Sequence, residues 1–215
     1  QLYMRIQDYE LALESFKAGL GEDIREGDYR ILYLAGSSLE KLGDLDRALK
    51  FYNYSINNNF SYTKAYFGKA NVLYKQQNFS ASESVLLNIL NIEPDYIKAY
   101  ELLVNLYLDL GNNSNAKKYA EIGVEFDPKS YSLLAQLAFL SNENKNYEDA
   151  ISYSNKSMKY KRDYGPALIE LGRAYTFTCK GVAAKDAFKR AKRFDRRMAS
   201  DLEKWSKDHI DTACK

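Results

Sequence analysis

The sequence predicts an all-α protein, a solenoid of antiparallel helix pairs closed by a C-terminal capping helix. Three observations carry that prediction. Residue types recur at a spacing of 34 residues along most of the chain. Within each period the large apolar residues fall at i, i+3 and i+7, the stripe of an amphipathic helix. Breakers are scarce, with 3 prolines and 11 glycines in 215 residues, so little interrupts a helical path.

Each element follows from the period. With Thr63 as position 1, position 4 holds Leu32, Tyr66, Tyr100, Leu134 and Leu168. These open the apolar stripe of a first helix. Position 8 holds Gly36, Ala70, Val104, Ala138 and Gly172, and position 20 holds Ala48, Ser82, Ala116, Ala150 and Ala184. Small residues at both places let two helices approach closely. Position 24 holds Tyr52, Leu86, Ala120, Ser154 and Phe188 on the second helix. Pro94 and Pro128, at position 32, cannot continue a helix and stop it before the next unit. Turns are expected at LGDLDRA (Leu42–Ala48) and LGNNSNA (Leu110–Ala116).

This pattern resembles the tetratricopeptide repeat family. Unit 97–130 carries it best, with Tyr100, Leu103, Tyr107, Gly111, Ala116 and Pro128 in register. The resemblance covers nearly the whole chain and implies about five and a half repeats. Full units are expected at 29–62, 63–96, 97–130, 131–164 and 165–198. A partial unit precedes them at 1–28, where Asp8, Tyr9 and Ala12 match a second helix. Because that unit is truncated and Gln1 stands where a Met would start, the sequence reads as part of a longer chain. Residues 199–215 are expected to form the capping helix and tail. Leu202, Trp205 and His209 or Ile210 would share its inner face, with Trp205 sealing the last pair. Departures are local: Ser82 stands for the small alanine, Lys69 for an apolar residue, and the last turn reads TCKGVAA.

The resemblance also implies a function: a non-enzymatic scaffold or adaptor holding a peptide or helix of a partner protein in a groove lined by the first helices. Carried over position by position, the groove takes in Tyr33, Ser37, Lys64, Phe67, Asn71, Tyr74, Lys98, Glu101, Asn105, Phe139 and Arg173. Asn71 and Asn105 stand at one position of adjacent units. An asparagine offers a donor and an acceptor, which suits the backbone of an extended peptide. The aromatics supply anchors of the kind interfaces favour. The family's carboxylate clamp is missing. Starting from unit 63–96, its five positions read Phe67, Asn71, Leu102, Ser132 and Gln136. An Hsp70/Hsp90 tail is therefore not the expected partner.

Composition narrows the rest. Hydrophobic content of 46% and charged content of 28% fit an ordinary folded domain. The net charge is only +2, but it is unevenly spread. Residues 1–28 hold three basic and seven acidic residues, and residues 156–198 hold thirteen basic and four acidic. The run KDAFKRAKRFDRR reads as one second helix, with Phe188, Ala191 and Phe194 facing the core. Lys189, Arg190, Lys192, Arg193, Arg196 and Arg197 would face solvent as a basic patch. That patch motivates a rival reading, the binding of an anionic lipid or nucleic acid, although no stacking aromatic lies among the charges. A second rival is a structural segment of a larger assembly, or self-association.

No catalytic residue, metal ligand or cofactor is expected. The one histidine, His209, reads as a half-exposed surface residue on the capping helix. Neither a phosphate loop nor a strand-borne glycine motif occurs. Cys179 and Cys214 are far from a C-x-x-C spacing, so no disulfide framework or zinc site is readable from them, and the redox compartment stays open.

Overall fold

The computed structural model describes residues 24–214, with Leu11 and Glu14 ahead of them. Apart from a short 3₁₀ turn at Ile24–Glu26, the partial unit expected over 1–28 lies outside the described residues. Among the described residues there are eleven α-helices and no strand. First helices are α1 (Tyr29–Leu42), α3 (Thr63–Lys75), α5 (Ile97–Asp109), α7 (Tyr131–Glu143) and α9 (Gly165–Phe177). Their partners are α2 (Leu45–Asn58), α4 (Phe79–Ile92), α6 (Asn113–Phe126), α8 (Tyr147–Tyr160) and α10 (Gly181–Ala191). Successive first helices begin 34 residues apart, and so do successive second helices. The last helix, α11 (Arg196–Ala213), breaks that rhythm.

Local chemistry fixes the helix ends. Asp28, Asp44, Asn112, Ser130 and Asp195 each accept a backbone N–H of the first turn that follows. The turn inside each pair is left-handed at one residue. These residues are Gly43, Gln77, Gly111, Lys145 and Cys179, with φ of 84°, 59°, 68°, 62° and 57°. Only two of the five are glycine, the residue that adopts this region without steric cost.

The chain forms two compact units, divided between Leu106 and Tyr107. In the first, α1 packs on α2, α2 on α3 and α3 on α4. Its core centres on Leu32, Ala35, Leu39, Ala48, Tyr52 and Val72, all essentially inaccessible. Tyr52 is the knob that glycines admit. A Cβ built on Gly68 would lie 2.4 Å from its ring, and one on Gly36 would lie 2.9 Å from it. In the second unit, α6 packs on α7, α7 on α8, α8 on α9 and α9 on α10. There Phe188 is the knob, and a Cβ on Gly172 would come within 2.6 Å of it. The positions vary in concert: glycine faces the large rings of Tyr52 and Phe188, and Ala138 shares its period with the small Ser154.

Both units repeat a bond that ties a pair together. Ser55 Oγ donates to the Tyr29 carbonyl at 2.6 Å, and Ser157 Oγ to the Tyr131 carbonyl at 2.7 Å. Tyrosine pairs seal the same ends, Tyr29 with Tyr62 at 4.8 Å and Tyr131 with Tyr164 at 4.9 Å between ring centres.

The C-terminal end adds to or corrects the sequence reading in three ways. First, Cys179 and Cys214 form a disulfide with Cα atoms 5.7 Å apart. It pins the end of α11 to the turn between α9 and α10, which spacing along the chain could not reveal. Second, the inner face of the capping helix includes Leu202 as expected but centres beside Trp205 rather than on it. Ala199 and Ser206 are buried, and the Ser206 hydroxyl lies 2.6 Å from that of Thr176. Trp205 instead sits at the edge, 37% exposed, edge-on to Phe177. Third, the run Lys185–Arg197 is not one helix. α10 ends at Ala191, and Arg196 and Arg197 begin α11. Phe188 and Ala191 are buried as expected, but Phe194 falls in the break and is 61% exposed, its ring against the backbone of Gly165.

Candidate functional site

The first unit carries a cleft of about 380 Å³. Its walls come from one face of α1 (Tyr33, Ser37, Glu40, Lys41), one face of α3 (Lys64, Phe67, Gly68, Asn71) and the start of α5 (Tyr96, Lys98). Tyr52 closes the bottom from α2. Each wall follows from helical spacing, since residues three, four and seven apart share a face. Of the residues singled out in the sequence, Tyr33, Ser37, Lys64, Phe67, Asn71 and Lys98 meet here. Tyr74, Glu101 and Asn105 do not line the cleft. Tyr74 is half-buried, its ring 5.7 Å from that of Phe79.

Among the lining residues that were not foreseen are two tyrosines. Tyr52 read as core, which it is, but its hydroxyl reaches the cleft and donates to Glu40 Oε2 at 2.7 Å. Glu40 Oε1 in turn accepts from Lys75 Nζ at 2.6 Å. Tyr96 packs on Phe67 with ring centres 5.6 Å apart. The signal for it lay in the period, where Tyr62, Tyr96 and Tyr164 share one position and Ser130 takes it in the unit between.

The phenols are neutral. Burial raises Tyr33, reinforced by Glu40 nearby. Burial likewise pushes Tyr96 up to about 12, and raises Tyr52 further with help from its Glu40 hydrogen bond. The cleft therefore has an aromatic floor, neutral hydroxyl and amide groups, one carboxylate already engaged by Lys75, and exposed lysines at positions 41, 64 and 98. It suits a chain with apolar side chains and acceptor groups. Nothing in it resembles an acid–base pair or an activated nucleophile. Among the described residues no cluster of His, Cys, Asp or Glu could hold a metal ion, and no helix is long and apolar enough to cross a membrane.

In the second unit, Phe139 and Arg173 come together with the guanidinium carbon 5.7 Å from the ring centre. Arg173 also bonds Glu143 at 2.7 Å and Glu170 at 3.0 Å. Asn142 Nδ2 donates to Glu170 Oε2 at 2.8 Å and to its carbonyl at 2.9 Å. Burial raises the pKa of Glu170, against the pull of Arg173 and the Asn142 hydrogen bond. Burial opposes the charge of Arg173, but Glu170 and Glu143 outweigh it and raise its pKa.

The basic residues are spread more widely than their sequence run suggests. Arg190 is half-buried and clamps Asp163 Oδ1 at 2.9 and 2.7 Å. That hydrogen bond, before the charge itself, lowers the Asp163 pKa. Lys192 pairs with Glu203 at 2.6 Å. Both were expected to face solvent; Arg190 instead meets Asp163 from the turn between α8 and α9, and Lys192 meets Glu203 because the chain reverses after Ala191. Lys189, Arg193, Arg196 and Arg197 are exposed.

The stacked helix pairs define an α-solenoid. Two family models, both described as tetratricopeptide repeat, match residues 1–61 and 97–130. Both matched stretches are tetratricopeptide repeats, and such repeats serve in general as scaffolds that bind protein partners. No curated protein matches the sequence. Solved structures share the fold. YrrB, titled a TPR protein with an unusual peptide-binding site, aligns at a TM-score of 0.64 and 18% identity, over 89% of this chain and 99% of its own. PilW, titled a type IV pilus biogenesis factor, aligns at 0.73 and 15%, over 86% and 87%. A chain of the APC/C hetero-tetramer Cut9–Hcn1 aligns at 0.73 and 14%, over 94% of this chain and 46% of that one.

Proposed function

We propose that the chain is a scaffold that holds an extended segment of a partner protein in the cleft of its first unit. The observation that carries this reading is the convergence of Tyr33, Phe67 and Tyr96 with Ser37 and Asn71 inside a ring of lysines. Three aromatic rings offer apolar anchorage at low entropic cost. The Asn71 amide can donate to a peptide carbonyl and accept from the next N–H. Lys41, Lys64 and Lys98 favour acidic or carboxylate-bearing segments. YrrB, of the same fold, is titled for a peptide-binding site, which agrees with this use of the scaffold. Tyr74, Glu101 and Asn105 would widen the contact surface beyond the cleft. Phe139 with Arg173 would offer the second unit its own contact point.

The test is capture of partners from the native source by wild type and by Phe67→Ala/Asn71→Ala. Loss of about 2 kcal/mol, roughly thirtyfold in affinity, is expected at an anchor of this kind. A partner retained equally by a variant of unchanged helicity would overturn the reading.

A further inference from the structure

A second cleft, of about 510 Å³, runs between α10 and α11 at the C-terminal end of the second unit. This is within the range of sites that hold ligands or short peptide stretches, about 300–1,000 Å³. Its floor is Gly181, Ser206 and Ile210. Its walls carry Lys185 and Lys192 from the α10 side and Lys204 and Lys207 from α11. Two acids share it, Glu203 and Asp211. Glu203 is consumed by Lys192 at 2.6 Å, an ion pair that spans the two walls. Lys185, Lys204 and Lys207 are exposed and make no ion pair among the described residues. The disulfide joins the turn that opens α10 to the residue that ends α11, so both walls are set before anything binds.

We infer that this cleft binds an acidic linear peptide segment. The charges left over are spread across it: Lys185 stands on the α10 wall, and Lys204 and Lys207 stand on the α11 wall. That spread matches carboxylates placed at intervals along an extended chain, at about 3.3 Å per residue, better than a single phosphate group. The cleft has no arginine, the residue whose fork grips phosphate bidentately. No aromatic ring lines it to stack a base. Lysine stems and Ile210 supply the apolar floor for the side chains that alternate with the carboxylates. Lys185 and Lys192 come from the basic run first read in the sequence, whereas Lys204 and Lys207 lie beyond it on α11.

The experiment is fluorescence anisotropy of the full chain with a labelled hexapeptide of alternating glutamate and leucine. Saturable binding is expected, weakened at least about tenfold by Lys204→Glu/Lys207→Glu and about threefold by Lys185→Ala on the opposite wall. Lys189→Glu, outside the cleft, should change it less than about twofold. Circular dichroism checks that the reversed variant is folded, and Lys185→Ala keeps the test valid if it is not. Absence of saturable binding would overturn the inference. So would equal weakening by Lys189→Glu, which would mean attraction to net charge alone. Displacement by tripolyphosphate at far lower concentration than by unlabelled peptide would assign the site to phosphate instead.

Discussion

Gln77, Lys145 and Cys179 hold left-handed backbone at turn positions where Gly43 and Gly111 hold it freely. A side chain there costs roughly 1–2 kcal/mol, partly offset because glycine would loosen the unfolded chain. Gln77→Gly and Lys145→Gly should each therefore raise stability by about 0.5–1 kcal/mol, and Gly43→Ala should lower it by a similar amount. Urea unfolding monitored by circular dichroism decides; a loss of stability in both glycine variants would contradict the argument. Glu170 gives a pH prediction. Its pKa is raised from 4.5 in the fold, mainly by burial, so the folded state keeps a proton that the unfolded chain has released. Stability contributed by this group thus falls as pH rises from 4.5 through the folded value. Glu170→Gln is neutral, can still accept from Asn142, and leaves Arg173 its bond to Glu143. Stability of the variant relative to wild type should climb across that window. A difference that stays constant with pH would show that Glu170 titrates normally.

Helix pairs close only where a knob meets a gap. Gly68→Ala would drive a methyl group into the Tyr52 ring, which is fixed on one side by Gly36 and at its hydroxyl by Glu40. A destabilisation of about 1–3 kcal/mol is expected from overpacking, read as a lower unfolding midpoint. Tyr52→Leu in the same chain should relieve part of that clash, so the two changes should be non-additive. The capping helix rests on different forces. Its buried contacts are few, mainly Ala199 and Ser206, and the disulfide closes a 35-residue separation. Loop-closure entropy assigns such a bond roughly 3–4 kcal/mol. Reduction by a dithiol should accordingly speed amide exchange along α11 more than along α7 or α8. Unchanged exchange in α11 would mean that packing alone holds the cap.

In the molecule as a whole, stability is a chain of neighbour contacts rather than one shared core. Gly68→Ala should therefore raise amide exchange in α1, α2 and α3 while leaving α8, α9 and α10 as they were. A uniform rise across both units would instead describe a single cooperative block. The same logic separates the two proposed binding surfaces. Phe67 and Asn71 lie in one compact unit, and Lys204 and Lys207 lie in the other. Substitutions in one cleft should leave ligand affinity in the other unaltered.

Period and residue size in the sequence determined the helix pairs, the stripe that each first helix buries and the positions where small residues admit large ones. They could do so because these features depend on residues close in sequence, where 3.6-residue geometry dictates which side chains share a face. Much of the first cleft was legible through the family resemblance, which assigns Tyr33, Ser37, Lys64, Phe67, Asn71 and Lys98 to a groove; helical register then keeps those of one helix on a common face. Tertiary structure decided the rest. Tyr52 enters the cleft because its ring threads between Gly36 and Gly68 of different helices. Arg190 loses exposure because the α8–α9 turn sets Asp163 against it, and Lys192 because the chain breaks after Ala191 and returns with Glu203. Cys179 and Cys214 meet because α11 folds back over α9 and α10, a contact between residues far apart in sequence that local pattern does not encode.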